Sequence, residues 1–331
     1  MRNRRDIVRL VGAASAALTA AALRDARAQD DTKNYPNRVI RLIVGFAAGG
    51  GNDIFARLVG QKLTELIGQS VVIENRPGAG GRLAAAYVAG QAADGYTLLV
   101  GAAGAMSVAP AIYPNLPYHP LRSFVPLTLI GSFPLVLVVA ASRDLKTVAD
   151  LVAWAKAHAD KANYATSAPG FTIATELLKL KTGMPGVAIP YKSSNEMVLS
   201  VISGQTLLTI ADPPPTVPLV KGGQLRALAV TGAKRLAELP DVPSMAEAGL
   251  PDVNMGLWSG LFAPAGTPPA LTQKLEDALR CAIQSPAVAD RLKALGVDPG
   301  GIPSDELRRL IEADIKLTAE VVKAANLTFE E

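Results

Sequence analysis

The feature that most constrains this chain is a tight alternation of strand and helix near its start. Val39 to Val44 is a short apolar strand. Glycine-rich residues 45–51 follow, and Asn52-Asp53 then offers a helix N-cap. Ile54, Phe55, Leu58, Val59, Leu63, Leu66 and Ile67 recur at helical spacing, and Gly68 stops the helix. Val71 to Ile73 reads as a second strand, with a loop from Glu74 to Gly81, a helix over 83–91 and a third strand from Tyr96 to Val100. Connections this short, with helices between the strands, dictate a parallel sheet with right-handed crossovers.

The pattern breaks at Pro110 to Pro126, where five prolines and no periodicity suggest a surface excursion. A strongly apolar strand, Leu135 to Ala140, precedes a second βα series. That series predicts helices at 172–182 and 194–203, strands at 163–165, 187–191, 206–211 and 225–230, and a short helix from the Ser244/Glu247 capping box. After an apolar strand at Leu257 to Ala263, helices are expected over 269–284, 286–295 and 304–325. With no strands of their own, they must pack on the first sheet. The fold class is therefore α/β, with two parallel-sheet lobes joined by two crossings. Residues 29–128 plus 256–331 form one expected lobe, and 129–255 the other. At 331 residues, the chain is long enough for two such cores.

The net charge of +4 invites a nucleic-acid reading, but its position removes the invitation. Residues 1–28 hold six Arg and two Asp; without them, 27 basic and 27 acidic residues remain. A neutral body has no broad field to attract phosphate, so no nucleic-acid partner is expected. The charged start, the apolar run Leu10 to Leu23 and the small-x-small site Ala26-Arg27-Ala28 read as a cleaved export signal. Arg4-Arg5 is close to a twin-arginine signal, but Asp6 interrupts it, leaving the Sec and Tat routes both open. The periplasm is the expected destination. Cys281 is the only cysteine, so no intrachain disulfide forms; its place near Leu279 and Ile283 suggests a buried thiol.

Catalytic and metal chemistry finds little support. His119 and His158 are the only histidines, neither sits at a strand end beside a serine, and no Gly-x-Ser-x-Gly elbow occurs. The residues give no metal-ligand spacing and imply no cofactor. Gly49-Gly50-Gly51 stands between strand and helix, but neither the dinucleotide nor the P-loop spacing fits.

That loop still has a physical meaning. Glycines let backbone approach a ligand, and a helix N-terminus favours an anion. Phe46, Ala47, Gly49, Gly50, Asn52 and Asp53 are its candidate ligand residues. A plain turn capped by Asp53 is the competing reading. A second strand end carries Thr166, Ser167, Gly170, Phe171 and Thr172. A third offers Ala103 and a fourth Asp212, which could instead only cap a turn. Arg76 could meet a carboxylate, though a surface salt bridge competes.

These residues lead to a resemblance. Arg38 to Val44 with Phe46 and Gly49 to Asp53 resemble the substrate-binding proteins of tripartite tricarboxylate transporters, also called Bug-type receptors. So do Val72 to Gly81, Asp94 to Leu99, Pro190-Tyr191-Lys192, Arg226 to Thr231, Leu239 to Pro243, Glu247-Ala248-Gly249 and Trp258 to Pro268. The resemblance covers nearly all of the mature chain in the same order. It implies a type II periplasmic-binding fold, a small carboxylate held mainly by backbone amides and waters, and delivery to membrane transporter subunits. It also implies that Asp53 organises the water network. There are departures: Ala47 or Ala48 where Pro is common, Thr175 where a His is usual, and Ser193 after Tyr-Lys where Gly is usual. Phe171 would favour an aromatic or apolar ligand body, and a dicarboxylic acid is another candidate. The expected protein is a monomeric receptor, not an enzyme. A ligand-presenting partner of a membrane sensor kinase would need the same cleft, and an enzyme on this fold is the remaining alternative.

Overall fold

A computed structural model describes residues 34–324. The export-signal reading for 1–28 lies outside the described residues. Eleven strands form two sheets among the described residues. The first holds β1 (Ile40–Val44), β2 (Val71–Asn75), β3 (Thr97–Ala102), β4 (Phe124–Pro134), β10 (Gly256–Pro264) and the two-residue β11 (Asp298–Pro299). The second holds β5 (Val136–Ala140), β6 (Asn163–Thr166), β7 (Val187–Pro190), β8 (Leu208–Ala211) and β9 (Leu225–Val230).

The strand orders, β11-β4-β10-β3-β1-β2 and β7-β6-β8-β5-β9, express one plan twice. In each sheet the second, first and third strands lie side by side, followed by a strand arriving from the other lobe and then the fourth. The arriving strand runs against its neighbours: β10 is antiparallel to β3 and β4, and β5 to β8 and β9. The sheets are thus mixed rather than wholly parallel. The periodicity reads βαβ units correctly but is blind to a strand inserted from elsewhere in the chain.

Among the described residues, ten α-helices cover these sheets: α1 (Gly51–Ile67), α2 (Arg82–Ala89), α3 (Ala109–Ile112), α4 (Val148–Ala157), α5 (Pro169–Thr182), α6 (Ser194–Ile202), α7 (Pro213–Lys221), α8 (Pro269–Gln284), α9 (Pro286–Ala294) and α10 (Ser304–Ala324). In β1, Ile40, Leu42, Ile43 and Val44 are all fully buried, as expected of a strand covered on both faces. α1 packs on β2 and on α8, while α10 packs on β4 and α3, so the last helices do clothe the first sheet. The chain passes between sheets at Leu135 and again over 231–255. Thr231 ties the passages together: its Oγ accepts the Leu135 amide at 2.9 Å and donates to the Met255 carbonyl.

Several elements differ from the sequence reading. The N-cap of α1 is Gly50, not Asn52-Asp53, which lie inside the first turn. The proline-rich region begins with a buried π-helical turn, Gly104–Val108, leading into α3, and it ends in the eleven-residue β4. Pro126 obscures that strand in the sequence. Helix α7 starts on three prolines, which suit a first turn whose amides need no partner. The Ser244/Glu247 box makes its reciprocal bonds, at 2.8 and 3.2 Å, but only a turn follows before Pro251. Cys281 is exposed, because the buried face of α8 runs through Leu275, Leu279, Ala282 and Ile283.

Candidate functional site

The carboxyl ends of β1, β2 and β3 face those of β6, β7 and β8, and the candidate residues lie between them. The first loop touches the second lobe directly. The Ala47 amide donates to the Lys192 carbonyl at 3.0 Å. The Gly51 amide donates to the Ser194 hydroxyl at 3.3 Å. A Cβ on Gly51 would stand 1.9 Å from Asp212 Oδ2, so only glycine fits there. Gly80, with φ of 62°, approaches Pro169 so closely that a Cβ would lie 2.8 Å from its ring. Ala103 is buried and opens the π-helical turn, whose Gly104 faces Ala168.

Asp53 holds the first loop in shape. It accepts the Gly49 amide at 3.0 Å, two bonds from Arg57 at 2.9 Å each, and the Asn75 amide at 3.0 Å. Burial pushes its pKa up, but the bonds from Arg57, Gly49 and Asn75 outweigh that and leave it below the usual carboxylate range. Asn75 also donates to the Phe46 carbonyl at 3.0 Å. Asn52 accepts the Ser259 hydroxyl at 2.6 Å, pinning α1 to β10. The amides of Gly49 and Gly51 are therefore already engaged by protein oxygens in this arrangement, whereas the sequence alone leaves them free for an anion.

In the second lobe, Thr166 and Thr172 bond each other at 2.8 Å, and Gly170 packs under Leu257. Phe171 is buried, 6% exposed. Two buried side-chain atoms lack any hydrogen-bond partner among the described residues: Ser167 Oγ and Asp212 Oδ1. Buried polar atoms are normally paired, so such an orphan marks a place where something else supplies the bond. Asp212 makes no helix-capping bond with its side chain, although it stands at the N-cap of α7. Burial pushes its pKa up to about 6, against the lowering pull of the Ser194 hydroxyl, its own backbone and the Gly51 amide.

A cavity of about 270 Å³ opens beside Ser167, lined by Phe46, Gly78, Gly80, Tyr191 and Lys192 among others. A larger cavity, about 880 Å³, lies at the hinge beside Phe133, Leu236 and Trp258. The smaller one has the better claim as a ligand site, because it sits at the strand ends where α/β folds bind and carries the orphan Ser167. Ser194, which accepts the Gly51 amide from across the lobe boundary, is a neighbour of the site that sequence reading misses; Ser193 beside it enters that reading only as a departure from the family pattern. The S-x-x-E signal of Ser193 and Glu196 marks a helix start, and the Ser193 side chain does accept the Glu196 amide at 3.3 Å.

The remaining titratable candidates are structural. His119 accepts the amides of Leu121 and Arg122 at 3.2 and 3.3 Å. His158 stacks on Trp154 at 4.4 Å. Arg76 pairs with Glu74 at 2.6 Å and lies over the Tyr87 ring, so the salt-bridge reading holds. Among the described residues, no group of three or more His, Cys, Asp or Glu could hold a metal ion.

Comparison with known proteins decides the family. Residues 55–327 match the model of the tripartite tricarboxylate transporter family receptor. This chain belongs to that family. Protein BugT of Bordetella pertussis is 36% identical over 292 residues, covering 87% of this chain and 90% of the relative. An R. palustris protein solved with adipate superposes with a TM-score of 0.85 at 36% identity, covering 89% of this chain and 99% of that one. MatC from Rhodopseudomonas palustris, solved with bound malate, gives 0.82 at 31% identity over 87% and 100% of the two chains. The resemblance read from the sequence is thus confirmed across nearly the whole described chain. The family consists of solute-binding receptors rather than enzymes.

Proposed function

We propose that this chain is an exported receptor that captures one small carboxylate between its lobes and delivers it to membrane transporter subunits. The observation that carries the reading is the buried, unpartnered hydroxyl of Ser167, which lines a cavity at the lobe boundary together with Phe46 and Gly80 of the first lobe. A helix N-terminus favours an anion, and a hydroxyl such as that of Ser167 can donate to a carboxylate. Relatives solved with adipate and malate support the ligand class.

In this reading 29–128 with 256–331 form one jaw and 129–255 the other. The ligand lies among Phe46, Ala47, Gly49, Gly50, Asn52 and Asp53 of the first jaw, with Ala103 behind them. Thr166, Ser167, Gly170, Phe171, Thr172 and Asp212 face it from the second. Asp53 acts through the loop it shapes. The protein works as a monomer in the periplasm after cleavage following Ala28, and takes no nucleic acid. A ligand touching both jaws favours their closure.

A thermal-shift panel tests this. Adipate, malate and matched monocarboxylates are added to the mature chain, since a ligand of the native state raises the melting temperature by mass action. At least one acid is expected to raise it progressively with concentration. A panel with no shift and no calorimetric heat would overturn the reading.

A further inference from the structure

The turn from Gly78 to Gly81, which leads from β2 into α2, bends in a way that side chains normally avoid. Ala79 has φ of 48°, the only positive value at a residue other than glycine among the described residues. Gly80 and Gly81 follow at 62° and 92°. Left-handed backbone at alanine is unfavourable, and it persists only where its surroundings hold it. Here both lobes do so. A Cβ on Gly45, just past β1, would stand 2.6 Å from Gly81 Cα. From the other lobe Ala168 closes on the turn: a Cβ on Gly80 would stand 3.2 Å from its Cα.

The turn leaves two donors free. The Gly81 amide bonds to the Gly78 carbonyl at 3.0 Å, and the Arg82 amide to the Ala79 carbonyl. The amides of Ala79 and Gly80 bond to no acceptor among the described residues. Successive amides in such a turn form a concavity suited to an anion. Both residues line the cavity of about 270 Å³. Ser167 lines it from the second lobe, 9% exposed and with its Oγ unpartnered. Lys192 adds a cation to the lining. Glu196, the one acid there, accepts the Lys192 amide at 3.0 Å. In the first glycine loop, by contrast, Asp53 takes the Gly49 amide and Ser194 the Gly51 amide. The free donors therefore gather around this cavity rather than at the start of α1.

Resting on the receptor reading above, we infer that the anion seat of this receptor is built from the Gly78–Gly81 turn and Ser167. One ligand carboxylate accepts from the amides of Ala79 and Gly80 on the first lobe and from the Ser167 hydroxyl on the second. An ionised carboxyl has about four lone-pair sites, enough for three donors. Bonds to an ionised acceptor are roughly twice as strong as neutral ones, so the seat favours an ionised acid over its neutral amide. Because the donors come from both lobes, filling the seat favours closure. The first loop serves it through Phe46, which lines the same cavity.

The test reads the donors themselves, by NMR of the nitrogen-labelled mature chain. Calorimetry with adipate, malate, propionate and hexanoate first shows which acid binds. With that acid at saturation, the amide protons of Ala79 and Gly80 should move downfield and exchange with solvent more slowly by about tenfold or more, because the carboxylate supplies the acceptor they lack. The Gly81 and Arg82 amides, already bonded within the turn, are the controls and should change less. Ser167→Ala is the second arm, with binding of the same acid expected to weaken by about tenfold or more.

Unmoved Ala79 and Gly80 amides in a complex that calorimetry shows to be saturated overturn the inference and leave the receptor reading standing. So does full affinity in Ser167→Ala. If that variant fails to fold, the wild-type spectra decide alone. If none of these acids and no other carboxylate binds, the receptor reading fails and takes this inference with it.

Discussion

At the scale of single residues, the two acids of the interlobe region do opposite things. Asp53 is drawn into ordinary structural work by Arg57, Gly49 and Asn75, which keep it ionised. Its stabilising bonds are present at neutral pH and are lost as pH falls through its lowered pKa. Asp212 has a folded-state value of about 6 against an ordinary 3.8, so the folded chain holds its proton more tightly than the unfolded chain does. Stability from this group therefore declines as pH rises from about 4 to about 6, at a cost on the order of 3 kcal/mol. Urea unfolding at pH 5 and pH 8 should show Asp212→Asn to be more stable than wild type at pH 8, with the difference shrinking toward pH 4. A variant less stable than wild type at pH 8 would mean that Asp212 is paired more fully than its orphan oxygen indicates.

At the scale of elements, the junction of α1 with the second lobe is the sharpest geometric demand. Gly51→Ala places a methyl 1.9 Å from Asp212 Oδ2 and must push the lobes apart or the carboxyl aside. Because each lobe has its own sheet, the expected damage falls on binding rather than folding. Calorimetry should show at least a tenfold loss of affinity, while far-UV dichroism stays unchanged and the melting temperature drops by only a few degrees. The first loop, its helix and the strand ends were legible in the sequence because they obey local rules: an apolar strand, glycines, then helical spacing. The incoming strands β5 and β10 could not be read as antiparallel, since strand direction depends on where the chain returns from. Helix α7 and strand β4 were hidden by prolines that fit a first helical turn in one case and an edge of the ladder in the other. Ser194 was missed for a different reason. It meets Gly51 only across the lobe boundary, a contact 143 residues distant in sequence.

At the scale of the molecule, the two sheets share a plan, and the main apolar core runs through both lobes. A smaller apolar cluster also crosses the boundary: Val108 and Ile112 from the first lobe, Ile173 and Leu177 from α5, Met255 from the passage and Val322 from α10. Ile112 is only partly buried, so Ile112→Ala removes interlobe contact more than core packing. Burial bookkeeping puts the loss at roughly 1 kcal/mol, about a fivefold shift toward separated lobes. Small-angle scattering of the ligand-free variant should give a larger radius of gyration than wild type; an identical radius would show that the cluster does not hold the lobes.

The central claim is that one acid is gripped by both lobes at once, and calorimetric titration of the mature chain with its best-binding carboxylate tests it most directly. The account predicts one molecule per chain, with affinity falling at least tenfold both in Gly51→Ala, on the first lobe, and in Ser167→Ala, on the second. A different stoichiometry, or an affinity that survives either change, would contradict it.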